Sequence, residues 1–135
     1  MTHNGIVRCA IYTRTATQDG SELLAAMQAQ RESAESFIAD HAGNGWILVP
    51  ERYDDPEMSG LSNDRPGLKR LLSDVQDGKI DCVVTSSLDR LSRSFAIMAA
   101  VSSELALNGV QLVTVKPVVH GRLRLLRLVW VSYDE

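Results

Sequence analysis

Asp89-Arg90-Leu91-Ser92-Arg93 places three charges within five residues, and in a helical turn Arg90 and Arg93 stand at i and i+3, on one face. Paired guanidinium forks there suit a phosphate. The same stretch also reads as an ordinary helix start, with Asp89 as the cap and the arginines solvated. Two further arginines change the balance: Arg14 ends the first apolar run, and Arg65 follows a long polar stretch. Four arginines on one edge of a sheet would stabilise a phosphoryl-transfer transition state electrostatically, without a metal. Neither G-x-G-x-x-G nor G-x-x-x-x-G-K follows the first run, so nucleotide cofactors lack their usual phosphate cradle. Cys9 and Cys82 sit in apolar runs with no C-x-x-C spacing, which suits small buried hydrophobes rather than a metal site. His3, His41 and His120 have no neighbours at ligand spacing and read as surface or packing residues.

Positioning those arginines requires strands that end where they begin. Ile6 to Tyr12 is apolar and β-rich, a buried first strand ending at Thr13-Arg14-Thr15-Ala16-Thr17. Ser21 is a candidate N-cap for a helix reaching His41, with Leu24, Met27, Ala34, Phe37, Ile38 and His41 at helical spacing. Gly43-Asn44-Gly45 closes it. Trp46 to Val49 opens a second strand running through Pro50 toward Tyr53, and the proline marks an edge. Asp54 to Asp64 reads as a long polar loop whose acidic residues lack metal-site spacing. Pro66 starts a second helix with Asp64 as N-cap and a stripe of Leu68, Leu71, Leu72 and Val75, ending at Gly78. Ile80 to Thr85 is a third, buried strand. A third helix is expected from about Phe95 to Leu107, with Phe95, Met98, Ala99, Ser102, Leu105 and Ala106 inward, and Val110 to Val115 is the fourth strand. The alternation predicts an α/β fold: a doubly wound, mostly parallel sheet of four to five strands with helices on both faces. Ligands of such sheets bind at the carboxyl ends of the strands, where all four arginines fall.

With 135 residues, 44% of them hydrophobic and 23% charged, the chain reads as one soluble domain with a real core. No apolar run approaches the 18 or so residues of a membrane span, and Met1 to Gly5 lacks a basic-plus-apolar signal pattern, so the expectation is a cytoplasmic protein with no membrane partner. A net charge of −3 argues against a free-standing DNA-binding module held by a global basic field. A local basic pocket remains compatible with it. Beyond Lys116 the pattern weakens: Arg122-Leu123-Arg124-Leu125 alternates like an edge strand, and Leu126 to Val131 is almost wholly apolar apart from Arg127.

Tyr12-x-Arg14-x-x-Thr17, Gln30-Arg31-Glu32, Tyr53-x-Asp55-x-x-x-Ser59-Gly60, Arg65-Pro66-Gly67-Leu68 and Leu88-Asp89-Arg90-Leu91-Ser92-Arg93 together resemble the catalytic domain of the serine site-specific recombinases, the resolvases and invertases. The longer first loop and the Arg-Pro-Gly-Leu form are similar to the large serine integrase and transposon branch. The resemblance covers roughly residues 6 to 116. It implies attack by a serine on a DNA phosphodiester through a phosphoserine intermediate, with no ATP, metal or other cofactor. By position it implies that Arg14, Arg65, Arg90 and Arg93 bind the scissile phosphate. Asp89 would orient arginines or assist the leaving oxygen's proton, and Gln30, Asp55 and Ser59 would be supporting polar residues. DNA and a dimeric or tetrameric assembly of the complete protein are the implied partners.

Two departures stand out. The family pattern Tyr-x-Arg-Val-Ser-Thr is here Tyr12-Thr13-Arg14-Thr15-Ala16-Thr17, so the nucleophile position is Ala16, and a methyl group cannot form a phosphoester. Nor does the 117–135 tail resemble the long dimer helix and DNA-binding domain that follow in the family. The expectation is therefore a single recombinase catalytic domain over 1–135, with a divergent tail and without strand cleavage. Two other readings stay open: a non-enzymatic regulatory protein derived from a recombinase, and a small-molecule-binding domain of flavodoxin-like shape.

Overall fold

A computed structural model describes residues 5–16, 20–57, 65–87 and 94–115. Among these residues five strands, β1 (Val7–Ala16), β2 (Trp46–Leu48), β3 (Tyr53–Glu57), β4 (Cys82–Thr85) and β5 (Gln111–Thr114), alternate with three α-helices, α1 (Gly20–Asp40), α2 (Pro66–Gln76) and α3 (Phe95–Leu107). The sheet runs in the order β2-β1-β4-β5, and β3 also pairs with β1. Every pairing is parallel, the doubly wound arrangement expected from the sequence.

β1 is the axis of the sheet and alternates strictly between its two faces. Val7, Cys9 and Ile11 point to one side, where α1 lays down Ala34 and Ile38 and the core is completed by Trp46, Cys82, Val84 and Val113. Ala10 and Tyr12 point to the other, among Leu68, Leu71 and Val75 of α2 and Val101 and Leu105 of α3. Cys9 and Cys82 are buried free thiols in register on β1 and β4, and burial above all pushes the Cys82 thiol upward, with the neighbouring Cys9 adding to it. At the amino end of the sheet Arg8 grips Asp81 through Nε at 2.9 Å and Nη2 at 3.1 Å, which ties the start of β1 to the entry of β4. That pair, led by its hydrogen bond, holds the Arg8 guanidinium above its ordinary value.

The structure corrects several sequence expectations. β1 does not stop at Tyr12: it continues through Ala16 because β3 pairs with it from Tyr12↔Tyr53 to Ala16↔Glu57. The first four residues of the expected polar loop, Asp54 to Glu57, are therefore strand, and Pro56 is accommodated in it. The second strand is instead two, broken between Leu48 and Tyr53 at the segment holding Pro50. α1 starts at Gly20, one residue before the expected cap Ser21, a difference within the usual fraying of helix ends. Leu24, expected inside, is 71% exposed, while Gln30 and Arg31 are buried. α2 has Arg65 rather than Asp64 at its N-cap position. α3 buries Val101 and Leu105 and leaves Phe95 82% exposed, with Ala99 and Ala106 also in solvent. The alternating tail from Lys116 onward lies outside the described residues.

Candidate active site

The chain leaves β1 through α1 toward β2 and β3 on one side, then crosses back through α2 to β4 on the other. The winding therefore reverses between β1 and β4, and the crevice at their carboxyl ends is where such sheets place ligands. The β1–β4 ladder stops at Ile11↔Val84, and side chains take over from it. Thr85 Oγ1 donates to the Tyr12 carbonyl at 3.1 Å. Gln30, reaching across from α1, accepts from the Arg14 amide and donates to the Arg14 carbonyl, both at 3.2 Å. A single side-chain amide thus supplies the donor and acceptor that a neighbouring strand would offer. Gln30 is 8% exposed, so these bonds fix the backbone of Arg14 from within the core.

On the opposite face of β1 the network is tighter. Tyr12 Oη donates to Asp55 Oδ2 at 2.6 Å and accepts from Arg65 Nη2 at 2.8 Å. Asp55 also accepts the amides of Gly67, at 2.6 Å on Oδ1, and Leu68, at 2.9 Å on Oδ2. It is the true cap of α2, supplied from β3 rather than from the residue before the helix. Its acceptance of a phenol proton and two amides suits the dipole at a helix start. Burial is the main force that raises the Tyr12 phenol well above its ordinary value, Asp55 adds to it, and Arg65 opposes it. The guanidinium of Arg65 also lies over the Tyr12 ring, 5.6 Å from its centroid.

The Arg-Pro-Gly-Leu run acquires a physical reading here. Arg65 stands in the left-handed region at φ 48° and ψ 61°, and it is the only non-glycine residue with positive φ among those described. Pro66 starts the helix without an amide to satisfy. Gly67 admits β3, since a Cβ there would stand 2.8 Å from the Asp54 carbonyl oxygen and 2.8 Å from Asp55 Oδ1. Leu68 enters the core. Beside this unit Asp54 holds β3 to β1 by accepting from Thr13 Oγ1 at 2.6 Å, and it also accepts from Arg52 Nε, two residues earlier in its own segment, at 2.9 Å.

Of the residues singled out from the sequence, Asp55 and Arg65 are joined through Tyr12, and Gln30 clasps Arg14. Strand alternation sets Arg14 on the same face of β1 as Tyr12. Ala16 closes β1 in register with Glu57. Ser59, Asp89, Arg90 and Arg93 lie outside the described residues. Tyr12 and Thr85 were not assigned roles from the sequence. The available signal was a tyrosine in an otherwise apolar buried strand, whose hydroxyl must find a partner. Among the described residues no three His, Cys, Asp or Glu gather as a metal site would need, and no helix is long and apolar enough to cross a membrane.

This geometry sits within a clear set of relatives. The description "Resolvase, N terminal domain" matches residues 9–122. Over 60 residues, 44% of this chain, it is 40% identical to the serine recombinase Gin of Escherichia phage Mu, a stretch covering 30% of that protein. Gin of Escherichia phage D108 matches at the same identity, over 29% of its length. The matched stretch thus spans less than a third of these relatives. In fold the chain is similar to the N-terminal catalytic domain of TP901-1 integrase, with a TM-score of 0.67 at 23% identity over 94% of this chain and 93% of that one. It is also similar to the C-terminal catalytic domain of the IS607-like serine recombinase ISC1926 TnpA, with a TM-score of 0.66 at 23% identity over 94% and 82%. A resolvase family site-specific recombinase from Streptococcus pneumoniae gives a TM-score of 0.67 at 22% identity over 95% and 85%. With the family description "Resolvase, N terminal domain" spanning most of its length, the chain belongs to the resolvase family.

Proposed function

We propose that this chain is the phosphate-gripping frame of a DNA strand-exchange site that lacks its own nucleophile. The observation that carries the reading is Arg65 anchored by Tyr12 and Asp55 at the winding reversal, beside an Arg14 whose backbone Gln30 clasps. In the reaction proposed for the family frame, a serine oxygen bonds to the phosphorus of a DNA phosphodiester. One ester P–O bond breaks, and the departing sugar oxygen takes up a proton. Arg14 and Arg65, with Arg90 and Arg93, would offset the charge that gathers on the phosphoryl oxygens. Asp89 would orient these arginines or serve the departing oxygen, and Ser59 would support the phosphate contact. Ala16 offers no oxygen, so the chain as it stands binds phosphate and does not cut.

Ala16→Ser tests this. The variant, fused to a zinc-finger module that brings it to a defined DNA duplex, is expected to yield a denaturant-resistant protein–DNA adduct whose nucleotide phosphate maps to residue 16. The unsubstituted chain in the same fusion yields none. A variant that folds and forms no adduct would count against an intact remainder of the site. Association with another recombinase chain is a second reading, for which Phe95, Ile97 and Leu107 of α3, 82%, 42% and 81% exposed, offer apolar side chains.

A further inference from the structure

We propose that the Tyr12 hydroxyl is a positioning group that converts the buried core into a fixed orientation for the Arg65 guanidinium. The inference rests on the reading of Arg65 as a phosphate ligand and adds to it a role for Tyr12, which the resemblance matches in the motif without giving it one.

Three observations carry it. A phenol has one proton to give, and that of Tyr12 goes to Asp55 at 2.6 Å; toward Arg65, at 2.8 Å, the oxygen can therefore only accept. The relay has a single polarity, from guanidinium to phenol to carboxylate. Second, its far end does not move: Tyr12 is 0% exposed and Asp55 2%, Asp55 is held by two amides of α2, and the Tyr12 carbonyl is held by Thr85. Third, Arg65 occupies a left-handed backbone conformation that a residue with a Cβ rarely adopts. Such strain persists only where surrounding contacts over-determine it, and the Tyr12 bond with the ring contact beneath it is such a pair of contacts. An arginine side chain left to itself samples many rotamers; one tied at Nη2 to a rigid oxygen meets its anion already oriented.

A plain packing role for Tyr12 predicts something different. Tyr12→Phe keeps the ring, its volume and the ring contact with Arg65, and removes only the oxygen. The test follows inorganic phosphate titrated into the isotopically labelled full chain by NMR, read at the Arg65 Nε–Hε signal where arginine is present and, for the affinities of every variant, at the backbone amide of residue 65. In the unsubstituted chain that signal is expected to shift with phosphate. Tyr12→Phe is expected to weaken the apparent affinity about tenfold, as is Arg65→Lys, while the double variant falls no further than about twofold below either single one. Losses that multiply instead, or a Tyr12→Phe variant that melts earlier yet binds phosphate as before, overturn the proposal and leave Arg65 as a ligand. An Arg65 signal unmoved by phosphate in the unsubstituted chain overturns the ligand reading and the proposal with it. Should Tyr12→Phe fail to fold, the Tyr12 Cζ signal of the unsubstituted chain serves: it shifts together with Arg65 across the titration, and a fixed Cζ beside a moving Arg65 overturns the tie.

Discussion

Gly67 shows how one residue can decide whether a site assembles. It stands at the second position of α2, where its amide donates to Asp55 Oδ1 at 2.6 Å, and β3 passes so close that any Cβ would press on backbone as well as on the carboxylate. The Asp54 carbonyl is part of a paired strand and cannot yield as a flexible side chain would. Gly67→Ala is therefore expected to destabilise the domain by about 2–3 kcal/mol, although alanine is the better helix former by about 1 kcal/mol. Urea unfolding measures it, and a neutral or stabilising result would show that β3 and α2 separate easily. Residues of this kind were legible as a pattern and not as a cause. Arg65-Pro66-Gly67-Leu68 could be matched as a string, yet its reasons are a backbone conformation at Arg65, a missing amide at Pro66 and a close approach at Gly67. Only the second is visible before β3 is in place. Tyr12 was hidden for the same reason: its partners Asp55 and Arg65 lie 43 and 53 positions away in the chain.

At the scale of elements, hydrophobic periodicity gave strand and helix types correctly and faltered where burial is one-sided or polar. α2 reads cleanly because Leu68, Leu71 and Val75 form one stripe on one core. β1 reads short because Thr13 and Arg14 look like a loop, whereas Asp54, Gln30 and β3 satisfy them as strand. α3 misleads because it is apolar nearly all round, so periodicity cannot choose a face. Its buried side is narrow: Val101 and Leu105, with Met98 packed at the margin. Leu105→Ala, at 1% exposure, is expected to cost about 3 kcal/mol through lost contacts and a residual cavity. Phe95→Ala, on the solvent side, is expected to change stability by no more than about 0.5 kcal/mol. Thermal unfolding of the two variants checks the assignment, and comparable losses would place Phe95 in the core as its spacing first suggested. Ahead of α3 lies a limit of a different kind: the stretch Asp89 to Arg93, whose paired arginines the sequence suggests for a phosphate, falls outside the described residues.

For the molecule as a whole, the same hydroxyls that organise the sheet face make the fold sensitive to alkali. Tyr12 gives its proton to Asp55, and Tyr53, on the next strand, gives its own to Asp74 at 2.6 Å. Both phenols are raised above the ordinary 10.0, in each case chiefly by burial and then by the hydrogen bond to the carboxylate. A group whose value is higher in the folded state favours folding fully below its unfolded value, and that contribution fades as pH climbs toward the folded one. Up to about pH 10 both states keep these protons. Above it the unfolded chain releases them while the fold retains them, so stability falls by about 1.4 kcal/mol per pH unit for each tyrosine. The Cys82 thiol, raised by burial, adds a decline of the same sign, which begins at the lower pH of about 9 where an exposed thiol ionises. Urea midpoints measured from pH 8 to 11 are therefore expected to hold level at first, dip gently and then fall steeply past pH 10. Tyr53→Phe removes one of the two phenolic contributions while leaving the Tyr12 relay intact, so its profile past pH 10 should be about 1.4 kcal/mol per unit shallower. Cys82→Ala should remove the earlier, gentler decline and also make the profile past pH 10 shallower, since the buried thiol's contribution goes on fading until pH reaches its own raised folded value. A steep region unchanged by Tyr53→Phe would mean that the alkaline transition belongs to another group, and that the Asp74 bond of Tyr53 does not hold its proton in the folded chain.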